Sequence, residues 1–331
     1  MKFKNKFFHL KANKKFFDFH IKQNWALFKL INSSFWRSTE KWFMSFVFTF
    51  FFIVIFGYIN QAILLTSISN VTKGLVPALN FKSSLTGLAA LMVISTGLNS
   101  IPISIMEIKE SVLMKRIGST PIRPWMFILT IAFFYSLIMI AQVLITLFTI
   151  FIFFGFQKFF LSGTIDDPVT ITGNQLFFTG FFSKEGEFVQ TNWGSYIFGM
   201  LYTMLLSIFL AVLIVSLTKK SASASMVGSM IYFLSMFLSG MLFPLTVIAN
   251  NELLYDLSFI SPFRYVNVLI ALAWSGISIF DFNAINQNIL NDELMIGIRN
   301  IAEVWTGYFI PLLFILAALI LSIYRFRWST R

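Results

Sequence analysis

Six long stretches of this chain contain no Lys, Arg, Asp, Glu or His. An α-helix rises about 1.5 Å per residue, so about 20 apolar residues cross the roughly 30 Å hydrocarbon core of a bilayer. A helix also satisfies its own backbone hydrogen bonds in lipid. The sequence therefore predicts an all-α, polytopic membrane protein. Its six transmembrane helices are predicted at about 43–65, 84–106, 125–156, 195–218, 222–243 and 304–324.

Composition limits the chemistry that such a bundle can hold. Only 12% of the residues are charged, which is about half of the share in a typical soluble domain. Cysteine is absent, and the two histidines, His9 and His20, lie before the first predicted span. Disulfides, and thiolate or histidine metal sites within the membrane, are thereby excluded. We expect no cofactor and no metal site.

The basic residues are distributed unevenly between the two sides of the predicted bundle. Nineteen of the 25 Lys and Arg residues fall in the two tails and in the segments after the second and fourth spans. Ten of the 14 acids fall on the other side. Since basic segments stay in the cytoplasm, both termini are predicted there, in a multi-pass protein of the cell membrane. Topology and anionic lipid explain the net charge of +11, so no nucleic-acid partner is expected.

The predicted organisation is a tail followed by one membrane domain. Residues 1–41 form a cytoplasmic tail, and residues 42–331 form a single transmembrane domain. The second half of the tail mixes aromatic residues with lysines, which is typical of an amphipathic helix lying in the headgroup plane. A disordered basic tail is the alternative. The predicted loops are a cytoplasmic one at 107–124 and two long outer ones at 158–192 and 250–303.

One apolar segment, 263–282, is ambiguous. Its charge-free part, 265–280, is short for a span, and Gly276 interrupts it. A seventh span here would also place the basic C-terminal tail outside the cell. We therefore expect a re-entrant or interfacial helical element before the last span, with a seventh span as the alternative.

The predicted spans lack the ionisable groups that ion-coupled carriers need at depth. The chain has no Gly-Lys dipeptide, and therefore no phosphate loop for a nucleotide. The side-chain sets used in intramembrane proteolysis or acyl transfer are also missing, so the chain is not expected to be an enzyme. If it moves a solute uphill, the energy must come from another chain.

The loop between the second and third predicted spans is where such a partner would bind. Ile105, Ile108 and Val112 have the spacing of one helix face. Pro121 and Pro124 stop any continuation of a helix. This pattern fits either a short amphipathic helix that extends the second span or a generic loop between spans.

Two motifs resemble elements of ABC type-2 exporter permeases. Glu110 and the run 113–121 (Leu-Met-Lys-Arg-Ile-Gly-Ser-Thr-Pro) resemble the family's cytoplasmic-loop signature, in which an acid precedes Leu-Lys-Arg-Leu and a terminal Thr-Pro. The chain departs from this signature at Val112, where the family often has Gly, and at Gly118, where it often has a larger residue.

The second motif lies at the end of the fifth predicted span. Residues 237–244 (Phe-Leu-Ser-Gly-Met-Leu-Phe-Pro) resemble the family's Leu-Ser-Gly-x-x-Phe-Pro stretch, and 261–265 (Ser-Pro-Phe-Arg-Tyr) follow like its Pro-x-x-Tyr element. In the family these residues mark the break at which re-entrant half-helices begin. The resemblance covers nearly the whole chain except the outer loop 158–192.

The resemblance implies a membrane-spanning subunit of an ATP-driven exporter. Its partners would be two copies of a separate ABC ATPase subunit, a second permease chain (itself or a paralogue, paired through the first and fifth spans) and the lipid bilayer. A hydrophobic or amphipathic substrate, such as a drug, a lipid or a peptide-like molecule, would suit spans without fixed charge. The residues implied in ATPase coupling are Glu107, Glu110, Val112, Leu113, Lys115, Arg116, Thr120 and Pro121. Those implied in the re-entrant element and dimer interface are Ser239, Gly240, Phe243, Pro244, Pro262 and Tyr265.

Two other function classes stay open. One is a six-span scaffold or immunity-type protein without a transport cycle, which would need no ATPase. The other is a passive channel or lipid scramblase, which would transport in liposomes without ATP.

Overall fold

The computed structural model describes residues 24–68, 85, 87–110, 124–154, 192–243, 245–274, 276–283, 285 and 298–325. Helix α1 spans residues 24–37, and α2 spans 39–68. Helix α3 is Gly87–Glu110. They are followed by α4 (Pro124–Phe154), α5 (Trp193–Leu217), α6 (Ser221–Leu238), α7 (Leu245–Ala249), α8 (Glu252–Ser258), α9 (Pro262–Trp274) and α10 (Ile301–Arg325).

The long helices coincide with the charge-free stretches. Helices α3, α4, α5, α6 and α10 are each long and apolar enough to cross a membrane. The first predicted span lies in α2, whose apolar stretch Ser45–Asn60 is shorter. The structure therefore confirms the prediction of an all-α, multi-pass membrane protein.

Three helices form the interior of the bundle. Every residue of α9 from Phe263 to Trp274 is buried. The first part of α3, residues 87–94, is also buried, and α5 packs against both of these helices. By contrast, α4 and α6 expose large apolar side chains such as Phe148 and Met226. Such surfaces face lipid or another chain, because water would not solvate them favourably.

Two of the helices contain a π-helical turn. In α2 the turn is Phe43–Val47, where the Phe48 amide donates to the Phe43 carbonyl five residues back. In α3 the turn is Thr96–Ser100, where the Ile101 amide donates to Thr96 in the same way. A π turn adds a residue to the helix and disturbs the regular ladder of backbone hydrogen bonds, so each turn is a local weak point.

Helix α6 ends at Leu238, earlier than the predicted limit of the fifth span at residue 243. Gly240 adopts a φ of 77°, a conformation that a residue with a Cβ atom adopts only with strain. A Cβ atom at this position would lie 2.4 Å from Leu245 Cδ2. The glycine therefore stops the helix and lets the chain turn towards α7.

Helices α8 and α9 form the bent pair. They meet at an angle of 105°. With 7 and 13 residues, they are about 10 Å and 20 Å long, so neither crosses a bilayer alone. Pro262 occupies the first position of α9, where its missing amide hydrogen is tolerated. This geometry fits the re-entrant element expected from the sequence.

Candidate functional site

Helix α1 packs one apolar face against α4. Leu27, Ile31 and Phe35 are buried, and the Phe35 ring lies 5.6 Å from that of Phe134. The opposite face exposes Trp25, Trp36, Lys29 and Arg37, and the Lys29 ammonium sits 5.8 Å from the Trp25 ring centre. The helix is therefore amphipathic, as the mixture of aromatic and basic residues predicted.

The end of the bundle that carries Lys29, Arg37, Lys41, Lys219 and Lys220 is called the basic end here. Lys41, just before the π turn of α2, donates to Glu107 near the end of α3 at 2.5 Å. The lysine side chain is 12% exposed and the glutamate 48% exposed. A half-exposed pair of this kind contributes little to stability, but it fixes the position of one chain segment relative to another.

Glu110, the last residue of α3, lies against the start of α6. Its Oε1 accepts a hydrogen bond of 2.7 Å from the Ser221 amide. The N-cap residue of α6, Lys220, provides no side-chain cap. The carboxylate of Glu110 therefore takes over this role and also faces the positive end of the helix dipole. One acid thus links the second and fifth predicted spans.

An open groove with a volume of about 790 Å³ lies at the basic end. One wall is the polar face of α1 and the turn that follows it, and the other wall is the end of α3. Its lining includes Lys29, Ser33, Arg37, Lys41, Glu107 and Ile108. The groove offers cations, hydroxyl groups and one acid to a polar partner surface.

Gln142 of α4 connects the two π turns. The side chain is buried, with 1% exposure. Its Nε2 donates to the Ser45 carbonyl at 2.8 Å, and its Oε1 accepts from the Thr96 hydroxyl at 2.8 Å. Ser45 lies within the π turn of α2, and Thr96 begins that of α3. Thr49 also donates to the Ser45 carbonyl, so this carbonyl is doubly satisfied inside the bundle.

The break after α6 has its backbone satisfied by two asparagines from other helices. Asn267 of α9 donates to the Ser239 carbonyl at 2.9 Å. Asn60 of α2 donates to the Leu242 carbonyl at 3.2 Å. Irregular backbone inside a membrane protein requires such partners. Side chains of the first predicted span and of the bent pair therefore hold this break in place.

A buried ion pair ties the bent pair to the last helix. Arg264 of α9 donates through Nη2 to Glu303 Oε2 at 2.9 Å, with side-chain exposures of 1% and 7%. The other glutamate oxygen accepts from the Tyr255 hydroxyl at 2.5 Å and from the Arg299 amide at 2.8 Å. The Arg264 guanidinium also lies 5.2 Å from the Phe259 ring centre. This arrangement joins α8, α9 and α10 in one polar cluster.

The described residues hold only part of the predicted site. Glu107 and Glu110 both lie at the basic end, whereas Val112, Leu113, Lys115, Arg116, Thr120 and Pro121 lie outside the described residues, as does Pro244. Ser239, Gly240 and Phe243 lie together at the break after α6, and Pro262 and Tyr265 lie in α9. The Tyr265 hydroxyl donates to the Phe259 carbonyl at 2.8 Å, across the bend between α8 and α9.

Sequence reasoning missed Lys41, Gln142 and the pair formed by Arg264 and Glu303. Gln142 stands in a charge-free stretch of more than thirty residues, and a strong polar side chain in such a stretch is a signal for an interhelical hydrogen bond. Arg264 stands at the edge of an otherwise apolar segment, and a charged side chain at such a place indicates a buried acid partner. Neither signal identifies the partner residue.

No group of three or more potential metal-binding side chains occurs in the part of the chain that the structure describes. In the comparison with known families, the model described as ABC-2 type transporter matches residues 22–274. This match includes helices α1 to α9. No curated protein and no solved structure matches the chain.

Proposed function

Because this chain belongs to the ABC-2 type transporter family, and is therefore an ABC transporter permease, we propose that it exports a hydrophobic or amphipathic substrate with energy from a separate ATPase subunit. The observation that carries this proposal is the arrangement of side chains at the basic end. There, two hydrogen bonds link α2 to α3 and α3 to α6, beside an open groove. A subunit that docks at this end can act on three spans at once.

The links at the basic end supply the mechanical part of the proposal. Lys41 and Glu107 join the segment after α1 to α3, and Glu110 joins α3 to the first turn of α6. When ATP closes a pair of docked ATPase subunits, a displacement of the end of α3 is passed to both neighbours. Coupling of this kind needs contiguous contacts between elements that have two packing arrangements. Lys115, Arg116 and the other predicted coupling residues of 112–121 complete the docking surface in this proposal.

Charge supports the proposed orientation. The basic end carries Lys29, Arg37, Lys41, Lys219 and Lys220, whereas the opposite end carries acids such as Glu252 and Asp256. Since basic segments stay in the cytoplasm, the basic end, with both termini, would face the cytoplasm across the cell membrane. This is the side on which ATP is available.

A second permease chain completes the proposed assembly. The exposed apolar faces of α2 and α6, with side chains such as Phe51, Ile55, Met230 and Phe233, would meet the same faces of another copy or of a paralogue. Two ATPase subunits would then dock beneath the two permease chains. The substrate path would run between the permease chains, where these faces carry no fixed charge, as a hydrophobic or amphipathic substrate requires.

The first experiment asks whether an ATPase partner exists and whether the basic end couples to it. The chain is purified from its own membrane, and a copurifying ATPase is sought. In liposomes, Glu110→Arg is expected to leave the protein inserted but to abolish substrate-stimulated ATP hydrolysis, because a cation replaces the acceptor at the start of α6.

Glu252→Arg is the matched control. Glu252 is an exposed acid in the first turn of α8, at the end of the bundle opposite Glu110, so this variant should keep normal stimulation. Normal stimulation in Glu110→Arg would contradict the coupling role. Transport that proceeds without ATP would instead indicate a passive channel or scramblase.

A further inference from the structure

We propose that Gln142 is a positioning residue that connects the π turns of α2 and α3, so that two helix segments at the basic end move together. These segments are called arms, and the π turns are called pivots. The first arm is α1 with the first turn of α2, residues 24–42. The second arm is the last part of α3, Ile101–Glu110. This inference rests on the proposed function, because the arms are the segments that would contact the ATPase.

Each arm is separated from the rest of its helix by a π turn. Phe43–Val47 lies between the first arm and the long apolar part of α2. Thr96–Ser100 lies between the buried start of α3 and the second arm. The regular hydrogen-bond ladder is disturbed at these turns, so a helix bends there more readily than elsewhere. Both helices therefore have a pivot at the root of the arm.

Gln142 is the side chain that binds both pivots. It donates to Ser45 in one π turn and accepts from Thr96 in the other, each at 2.8 Å. Both of its polar atoms are used, and the side chain is 1% exposed. A residue that only satisfied its own hydrogen-bonding needs would not have to bridge the two irregular turns. The bridge sets the distance between the two pivots.

The arms are joined a second time by Lys41, at the root of the first arm, and Glu107, near the end of the second. Thr96 and Glu107 are eleven residues apart, which corresponds to about 16 Å along a helix. On the first arm, Ser45 and Lys41 are only four residues apart, about 6 Å along a helix. The two connections therefore restrict independent rotation of the arms near the first pivot. A displacement of either arm then rotates α2 and α3 together about a common axis near Gln142.

The helices around the second pivot pack in close contact. A Cβ atom at Gly97 would lie 2.4 Å from Ser207 Cβ of α5, and a Cβ atom at Gly228 of α6 would lie 2.0 Å from the Leu98 carbonyl oxygen. Small residues of this kind let the helix backbones approach closely. The pivot of α3 is thus in close contact with two neighbouring helices.

The test uses the full permease with its copurifying ATPase in liposomes. The chain has no cysteine, so single cysteines can carry an environment-sensitive fluorophore. Ala26→Cys, at an exposed residue of α1 outside the groove lining, reports on the first arm, and Ile59→Cys, at a side chain 43% exposed, reports on α2 beyond its pivot. The signal is the emission change on adding a non-hydrolysable ATP analogue.

With native Gln142, both reporters should respond. Gln142→Leu should leave the response at position 26 unchanged and reduce that at position 59 roughly five- to tenfold, since two interhelical hydrogen bonds are lost. Thr96→Val, which removes one bond and keeps the shape, should reduce it about two- to threefold. Thr146→Val is the matched control, because Thr146 is a buried residue of α4 whose hydroxyl has no hydrogen-bond partner among the described residues.

The outcomes distinguish failure of the proposed role of Gln142 from failure of the proposed function. Full responses at both positions in Gln142→Leu would overturn the role of Gln142 and leave the proposed function intact. An equal loss in Thr146→Val would also overturn it, because any change in the packing of α4 would then suffice. Absence of a response at both positions with native Gln142 would overturn the proposed function itself, and this inference with it.

Discussion

For the ion pair of Arg264 and Glu303, we predict that removing the glutamate and removing the arginine destabilise the protein by unequal amounts. Glu303 has two further hydrogen-bond donors, the Tyr255 hydroxyl and the Arg299 amide. Nε and Nη1 of Arg264 are buried with no hydrogen-bond partner among the described residues. Removing the glutamate therefore leaves a buried cation with little compensation, whereas removing the arginine leaves a carboxylate with two donors. Glu303→Leu should destabilise the protein more than Arg264→Met.

The magnitudes follow from this arrangement. Breaking a buried pair by removing one partner typically costs about 3–5 kcal/mol, and we expect Glu303→Leu near the top of that range and Arg264→Met about 2–3 kcal/mol. The double variant leaves no uncompensated charge, but the Tyr255 hydroxyl and the Arg299 amide both lose their acceptor, and an unsatisfied buried group costs about 1–3 kcal/mol. It should therefore be no less stable than Glu303→Leu, the less stable of the two single variants. The coupling energy of the cycle is then at least about 2–3 kcal/mol.

The assay is reversible unfolding in mixed detergent micelles, followed by tryptophan fluorescence, on the wild type, both single variants and the double variant. Glu252→Leu, at an exposed acid of α8, serves as the control and should change stability by less than about 0.5 kcal/mol. Additive effects of the two single substitutions would refute the reasoning, because the two charges would then not depend on each other.

Two glycine substitutions test the close contacts described above. Gly240→Ala should cost about 1–3 kcal/mol in unfolding free energy, because its φ of 77° is strained for alanine and Leu245 must move. Gly228→Ala should cost about as much or more, since its Cβ atom meets the Leu98 carbonyl, which is backbone and cannot move alone. Both are measured by the same unfolding assay, and Gly194→Ala, whose Cβ atom would meet no atom closer than 3.6 Å, is the matched control. A loss no larger than that of the control would contradict the prediction for either site.

The features predicted well from the sequence are those encoded by local pattern. The charge-free stretches predicted the long helices, because length and polarity alone decide whether a helix can reside in lipid. The apolar segment 263–282 predicted a re-entrant element, since its charge-free part, 265–280, is short for a span. The amphipathic nature of α1 followed from its mixture of aromatic and basic residues.

The features that could not be predicted depend on how distant segments meet. The sequence singled out Glu110 as a proposed coupling acid, but its bond to the Ser221 amide joins residues 111 positions apart. Gln142 meets Ser45 and Thr96 only after three helices have packed in the correct register. Helix periodicity fixes which face a residue occupies, but not which face of another helix lies opposite.

The buried ion pair also bears on how the chain is assembled during synthesis. Arg264 emerges from the ribosome 39 residues before Glu303, so a nascent chain that already contains α9 still lacks the acid that neutralises it. Burying the arginine at that stage would leave an unpaired charge in an apolar environment. Helices α8 and α9 therefore reach their final place only after α10 has been made, so the burial of this polar cluster waits for the synthesis of α10.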